Sequence, residues 1–183
     1  MKLRYLLVIT FCVLLSVNCF GQTPLIYTEV VNVDSVSKSD LYNRAILWFA
    51  TTYNNSKEVL QLEDKTEGQV VGQAVLPYNQ TFIDGSARTK GNIKYSIKIF
   101  LKDGRYKYEI SDFIHDPIRN DSLSFGLITT DIKSPIQHKW MFSGWNDKVW
   151  ADIKRQINRN IIPLIASLKE SMAKKAESKN NDW

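Results

Sequence analysis

Four side chains in the second half of the chain are of the types that bind metal ions or transfer protons. Asp112, His115 and Asp116 form a D-x-x-H-D cluster, and His138 follows after a polar stretch. Imidazole and carboxylate groups bind zinc and similar ions, although a zinc site needs three or four ligands that converge. A metal-assisted hydrolase built on these residues is therefore one hypothesis, and a solvated polar loop is the competing interpretation.

Other patterns that indicate an enzyme are missing from the sequence. It contains no G-x-S-x-G nucleophile elbow, no phosphate-binding loop and no dinucleotide fingerprint. Cys12 and Cys19 both lie near the N-terminus, in a segment that we expect to be removed. The remaining chain would then have no cysteine nucleophile and no thiolate ligand. We therefore predict no cofactor and, on balance, no enzyme.

Four aromatic residues are candidates for a ligand or partner surface: Phe100, Trp140, Trp145 and Trp150. Phe100 lies on the lysine-bearing side of its predicted strand, and an exposed aromatic side chain on a sheet can mark a contact surface. The three tryptophans cluster around the start of the last predicted helix. They would either rim a cleft or plug the core beneath that helix.

The N-terminal residues predict export. Two basic residues precede the apolar run Tyr5 to Val17, and small residues at Cys19 and Gly21 allow cleavage before Gln22. The run is shorter than the roughly 20 apolar residues that span a membrane, so we expect residues 1–21 to be a signal peptide and no transmembrane span to follow it. Lipidation at Cys19 and an uncut signal anchor are the alternatives. The expected location is the periplasm or cell envelope, or outside the cell.

Length and charge indicate a single domain and argue against a nucleic-acid-binding protein. Cleavage would leave 162 of the 183 residues, which is enough for one domain over residues 22–172 and a polar tail over 173–183. The formal charge of +5 falls to +3 when Lys2 and Arg4 are removed. A charge this small on a domain of this size does not predict a nucleic-acid-binding face.

The element that would position both the cluster and Phe100 is a hairpin centred on Asp103-Gly104, a dipeptide typical of a tight type I′ turn. Because side chains alternate along a strand, the turn sets which residues share a face. One face would pair Leu101 with Tyr106, Ile99 with Tyr108 and Ile97 with Ile110, and the other face would pair Lys98 with Glu109.

Two helices and three more strands complete the prediction. Ser37 and Asp40 form a capping box at the start of a helix over Lys38 to Tyr53. A long amphipathic helix begins near Asn146, and Pro163 should kink it. The predicted strands are Ile26–Val33, Glu58–Glu63, Gln69–Leu76, Asn92–Leu101 and Arg105–Ile114, with Ser124–Ile132 either a short strand or a structured loop.

These elements predict an α+β fold with a single curved antiparallel sheet in β-α-β4-α order. Each helix has one apolar stripe and the sheet has one apolar face, so both helices should pack on one face of the sheet. The long C-terminal helix, kinked at Pro163, would cover much of that face.

Several segments together resemble the DUF4468 family, exported Bacteroidetes proteins of unknown function with a TBP-like fold. They are Ser39–Ala45 leading to Trp48, the turn that ends at Gly68, Lys102–Ile110 and the closing helix. The resemblance extends from about Ile26 to Met172 and implies the same β-α-β4-α layout. It brings no catalytic residues. TATA-binding proteins use a duplicated unit with a wedge-bearing face, whereas this chain has one unit and a modest charge, so we expect no nucleic-acid partner.

The favoured hypothesis is a non-enzymatic module of the cell envelope that binds a partner protein or a small apolar ligand. A helix bent at Pro163 would leave a cleft over the sheet, and clefts of this kind are common ligand sites. A purely structural part of a larger envelope assembly is a second hypothesis. The metal-assisted hydrolase using His115, His138 and the nearby aspartates is the enzymatic alternative.

Overall fold

The computed structural model describes residues 22–81, 87–119, 122–139 and 142–174. The predicted signal peptide, Trp140 and all but the first two residues of the predicted tail lie outside these ranges. The elements in chain order are β1 (Tyr27–Asn32), α1 (Lys38–Thr52), α2 (Ser56–Val59), β2 (Leu60–Asp64), β3 (Gln69–Tyr78), a 3₁₀ turn (Ala87–Thr89), β4 (Gly91–Lys102), β5 (Arg105–Pro117), β6 (Gly126–Leu127) and α3 (Trp145–Ala173).

The strands form one antiparallel sheet in the order β1-β5-β4-β3-β2, and the two-residue strand β6 pairs with β5. The predicted register of the central hairpin is confirmed, since Leu101 pairs with Tyr106 and Lys98 with Glu109. Alternation along β4 and β5 therefore separates an apolar face from a charged one. The α+β class and the antiparallel sheet under two helices are as predicted.

The hairpin turn differs from the predicted type I′ conformation. Only Gly104 has a positive φ, at 73°, and Asp103 does not. The carboxylate of Asp103 instead accepts the amide of Lys38 at 2.6 Å, and Gly104 exchanges backbone hydrogen bonds with Val33 and Val36. The turn docks on the segment that leads into α1, and this long-range docking decides its conformation.

Strand boundaries also differ from the prediction at two places. Glu58 belongs to the short helix α2, so β2 begins only at Leu60. β5 continues to Pro117, past a bulge at which the non-glycine residue Asp112 has a φ of 58°. The D-x-x-H-D cluster therefore lies on a strand and not in a loop.

Both long helices pack on the apolar face of the sheet. The side chain of Ser37 accepts the amide of Asp40 at 3.1 Å, which confirms the predicted start of α1. Phe49 of α1 comes so close to Gly72 of β3 that a Cβ atom there would lie 2.5 Å from its ring. The sequence needs glycine at this position because α1 packs directly on the backbone of β3.

The helix α3 runs as one element from Trp145 through Pro163 to Ala173, with its apolar stripe buried. The kink at Pro163 stays a prediction. The six hairpin residues beneath the helices are between 0 and 4% exposed. Of the two possibilities for the space above them, a closed core or an open cleft, the burial of these residues favours the closed core. No helix in the described part of the chain is long and apolar enough to cross a membrane.

Candidate functional site

His115, the centre of the predicted metal cluster, is fully buried and points into the core from β5. Its Nδ1 accepts the amide of Phe125 at 3.2 Å, so the ring proton is on Nε2, which donates to the carbonyl of Thr89 at 3.0 Å. Burial lowers the pKa of His115, against smaller opposing contributions from the Thr89 hydrogen bond and Asp116. The imidazole holds two loop segments against the sheet and has no free nitrogen for a metal.

The other members of the cluster do not converge on His115. Asp116 points to the opposite face of the sheet because it is the next residue along β5, and it pairs there with Lys94 at 2.6 Å. His138 directs Nε2 to the carbonyl of Ser124 at 2.9 Å. Within the described ranges, no three or more His, Cys, Asp or Glu residues are grouped closely enough to hold a metal ion.

Asp112 makes a separate set of contacts at the β5 bulge. Its carboxylate accepts the hydroxyl of Ser111 at 3.0 Å and lies 3.6 Å from Lys98. Partial burial by itself would raise its pKa, but hydrogen bonds from Ser111 and Ser96 and the charge of Lys98 outweigh that effect and lower the pKa. Asp112 is thus a paired carboxylate on a strand, and both the metal-ligand and the solvated-loop interpretations of the cluster need correction.

Two of the three tryptophans that were candidates for a cleft rim are core residues. Trp145 and Trp150 are almost completely buried, and the indole of Trp150 donates to the carbonyl of Asp131 at 2.8 Å. Both rings lie beside Phe125. The structure therefore places these two residues in the plug beneath α3 and not on a surface, and Trp140 lies outside the described residues.

Asp152 is a buried carboxylate that the sequence did not reveal. It accepts hydrogen bonds from the hydroxyl of Tyr78 at 3.1 Å, from the amide and hydroxyl of Thr81 and from Gln156, and it pairs with Arg155. Burial by itself would raise its pKa, but these donors outweigh burial and lower it. Through these hydrogen bonds, Asp152 joins α3 to the end of β3. Both carboxylate oxygens are engaged by donors of the fold, so neither is directed at a substrate. Its only sequence signal was an aspartate beside the apolar stripe of α3.

The face of the sheet opposite the helices, which we call the open face, is exposed. Five of its apolar side chains are each at least 39% exposed, namely Val30, Leu62, Val75, Ile114 and Leu127. Register places them in rows that run across the strands. One row reads Val30, Lys107, Phe100, Gln69 and Asp64, so Phe100 is at its centre.

A depression of about 310 Å³ lies on the open face beside the hairpin turn. It is lined by Val30, Phe100, Lys102, Arg105, Tyr106 and Lys107. The ammonium of Lys107 lies over the Phe100 ring, 5.8 Å from its centre. Of the three predicted surface aromatics that lie within the described residues, Phe100 alone is at an accessible site. Its neighbours there come from three strands, and the register that brings them together cannot be read from sequence patterns.

An antiparallel sheet that carries two long helices on one face and is exposed on the other defines a two-layer α+β domain. Residues 27–116 match the family described as "Domain of unknown function (DUF4468) with TBP-like fold". These 90 of the 183 residues are therefore assigned to a DUF4468 domain. The match is shorter than the resemblance from Ile26 to Met172 predicted, and it ends before α3.

Solved structures of other proteins share this fold. A TBP-like protein from Parabacteroides distasonis is 15% identical, with a TM-score of 0.55 over 80% of this chain and 93% of that one. A DUF4468 family protein from Bacteroides ovatus is 11% identical, with a TM-score of 0.59 over 83% of this chain and 88% of that one. No curated protein matches the chain. At these identities the likeness concerns the fold alone, and function has to be argued from the side chains.

Proposed function

We propose that this protein is a non-enzymatic module of the cell envelope that binds a partner protein through the open face of its sheet. The observation that carries the proposal is the exposure of apolar side chains from five strands on that face, beside charged residues. Exposed apolar surface bordered by polar groups is typical of protein interaction sites. The export signal expected over residues 1–21 supports the location.

The helix-covered face offers much less room for a ligand. Ile97, Ile99 and Ile110 are completely buried beneath α1 and α3, so a small apolar molecule could enter only by displacing core side chains. Close packing makes such displacement costly. This contrast favours a partner on the open face over an apolar ligand between helix and sheet.

The buried titratable side chains support the same choice. His115 and Asp152, the buried titratable groups best suited to acid–base chemistry, have their polar atoms engaged by backbone and side-chain partners in the fold. A general base must be able to reach the proton of a substrate. Neither group lines the depression on the open face, and the hydrogen-bond partners of both groups belong to the fold, so the metal-assisted hydrolase is not favoured.

Site-specific photo-crosslinking in living cells tests the proposal. A photoreactive phenylalanine analogue would replace Val75 on the open face or, as the matched control, Ile162 on α3; the two native side chains are 53% and 59% exposed. We expect a discrete adduct from position 75 and none from position 162. The same adduct should disappear when Ile114→Glu is added, because that change places a charge in the contact surface.

The opposite pattern would contradict the proposal. Adducts from position 162 alone, or equal adducts from both positions, would mean that the open face is not the specific contact surface. Persistence of the adduct in the Ile114→Glu background would mean the same. Circular dichroism of each variant would verify that the fold is retained.

A further inference from the structure

We propose that the depression beside the hairpin turn binds an acidic peptide segment of the partner, with one apolar side chain seated on Phe100 and Val30 and flanking carboxylates on Lys102, Arg105 and Lys107. The proposal rests on the proposed function, because it specifies which part of the open face makes contact and with what chemistry. The five residues named in this proposal line the site together with Tyr106.

The floor of the site is apolar, and the volume of the site suits a single side chain of a partner. Phe100 is half-buried at the centre of its row and Val30 is exposed on the edge strand β1. A volume of about 310 Å³ is at the lower end of the range for ligand sites, which is roughly 300 to 1,000 Å³. One aromatic or large aliphatic side chain, with its flanking backbone, would fill it.

The rim of the site has an excess of positive charge. Lys102 and Arg105 form no ion pair in the described part of the chain, and Lys107 has only Glu109, at 3.5 Å, which also pairs with Lys98. Exposed cations that lack a carboxylate partner attract anionic groups, and complementary charge favours specific association.

Folding of the turn explains why Lys102 and Arg105 have no carboxylate partner. Asp103 is the acidic residue between Lys102 and Arg105 in sequence, yet its carboxylate faces the start of α1 and accepts the amide of Lys38. Asp64, the carboxylate at the end of the Phe100 row, lies two strands away and accepts the amide of Glu67 at 2.8 Å. Both carboxylates are thus engaged elsewhere, and the rim stays cationic.

The hairpin turn holds this rim in place. Gly104 donates to the carbonyl of Val36 at 2.9 Å and accepts the amide of Val33 at 2.8 Å. These bonds, together with the Asp103 contact, fix the strand ends that carry Lys102 and Arg105. A site whose backbone is fixed before binding loses less entropy when the ligand arrives.

A peptide fits the charges better than a nucleic acid does. Further along the open face, Lys98 and Lys94 are paired with carboxylates, the latter with Asp116. A polyanionic backbone running across the sheet would therefore meet Glu109, Asp112 and Asp116 as well as the cations. Among the described residues of the open-face strands, the cations without an ion pair, Lys102 and Arg105, lie at the hairpin end, which suits a short acidic segment.

Fluorescence anisotropy with a labelled synthetic peptide, Gly-Glu-Glu-Phe-Glu-Glu-Gly, tests the inference on protein purified from cells that express the full chain. We expect binding that weakens by about tenfold or more in the Lys102→Gln/Arg105→Gln variant, since two charge contacts are lost. Lys94→Gln is the matched control, because Lys94 is on the same face but already paired, and it should change binding by less than about twofold.

Three further probes separate the contributions of charge, apolar contact and nucleic acid. Replacing the peptide phenylalanine by alanine, or its glutamates by glutamines, should each abolish binding at concentrations that saturate the parent peptide. Equal binding of the glutamine peptide, tighter binding of a thymidine oligonucleotide, or no peptide binding at all would overturn the inference. Loss of binding in Lys94→Gln equal to that in Lys102→Gln/Arg105→Gln would overturn it as well.

Crosslinking distinguishes failure of this inference from failure of the proposed function. In cells, a photoreactive residue at Asn32, in the row of Lys102 and Arg105, should give the same adduct as one at Val75. Adducts from position 75 with none from position 32 would overturn the acidic-peptide site and leave the open face as the contact surface. Peptide binding in solution without any open-face adduct in cells would support the site and count against the proposed function.

Discussion

The two faces of the sheet are built from the same strands and yet have opposite properties. Ile99 and Phe100 are consecutive residues of β4, but Ile99 is completely buried under the helices while Phe100 borders a depression open to solvent. The residues opposite them differ in the same way, since Ile99 pairs with Tyr108 and Phe100 with Lys107. Because side chains alternate along a strand, one face carries the residues that form the core, and the other carries residues that are accessible to a partner.

Polar groups follow the same division. On the covered side, Asp152 and His115 are buried and hydrogen-bonded, whereas the ion pairs of the open face, such as Lys94–Asp116 and Lys98–Glu109, remain at least partly exposed. The hydroxyl of Tyr106 is an exception, because it is buried without a hydrogen-bond partner. Mutations on the covered face should therefore affect folding, and mutations on the open face should mainly affect binding.

The largest expected difference between the faces comes from truncating the two neighbours in β4. Ile99→Ala should lower the free energy of unfolding by about 2–5 kcal/mol, because it removes buried methyl groups and leaves a cavity. Phe100→Ala should cost clearly less, since its ring is already in contact with solvent. Urea denaturation of both variants measures the two values, and a Phe100→Ala cost equal to that of Ile99→Ala would remove the distinction between the faces.

A second pair of neighbours tests the close contact of α1 with β3. Gly72→Ala would place a methyl group 2.5 Å from the Phe49 ring, so Phe49 must move, at a cost of about 1–3 kcal/mol. Gln73→Ala, on the open face, is the matched control and should change stability by less than about 0.5 kcal/mol. Thermal unfolding compares them, and an unchanged melting temperature in Gly72→Ala would contradict the packing described for α1.

Acidification should lower the stability of the folded protein through His115, which is buried on the covered side of the sheet. Burial lowers its pKa in the folded protein, so the unfolded chain binds a proton first as the pH falls below about 6.5. The contribution of the neutral His115 ring to stability should therefore be fully present above that pH. Below it, the free energy of unfolding should decline with a slope that approaches about 1.4 kcal/mol per pH unit for one proton.

Two measurements check this pH dependence. The imidazole of His115, followed by NMR, should titrate below its ordinary value, and His115→Gln should remove part of the slope of the urea midpoint between about pH 6.5 and 5.5. An imidazole that titrates above 6.5, or an unchanged slope in His115→Gln, would contradict the buried neutral ring.

The prediction of the hairpin succeeded because local signals and burial pointed to the same register. The Asp103-Gly104 turn and the alternation of Ile97, Ile99 and Leu101 required no knowledge of distant residues. The turn conformation was wrong for the opposite reason, since contacts with Val33 and Val36, some 70 residues away in sequence, determine it. Local patterns predict which residues pair, but they do not predict what a turn docks on.

The candidate site was harder to predict because it, too, depends on contacts between residues that are distant in sequence. The D-x-x-H-D spacing looked like a ligand cluster only as long as those residues were assigned to the end of the hairpin. Once β5 continues to Pro117, alternation sends His115 inward and Asp116 outward. Phe100 was placed on the correct face, but its cationic surroundings depend on where Asp103 turns, and that is decided by tertiary contacts.

The smallest expected effect concerns an ion pair on the open face, Lys94–Asp116. Its two side chains are 48% and 46% exposed and 2.6 Å apart, and exposed pairs of this kind contribute little because water and salt screen them. A double-mutant cycle with Lys94→Ala and Asp116→Ala should give a coupling free energy below about 1 kcal/mol that decreases further in 0.5 M salt, at roughly half the Debye length of physiological buffer. A coupling of several kcal/mol that salt does not reduce would mean that the open face also stabilises the fold, and the division of roles between the two faces would then fail.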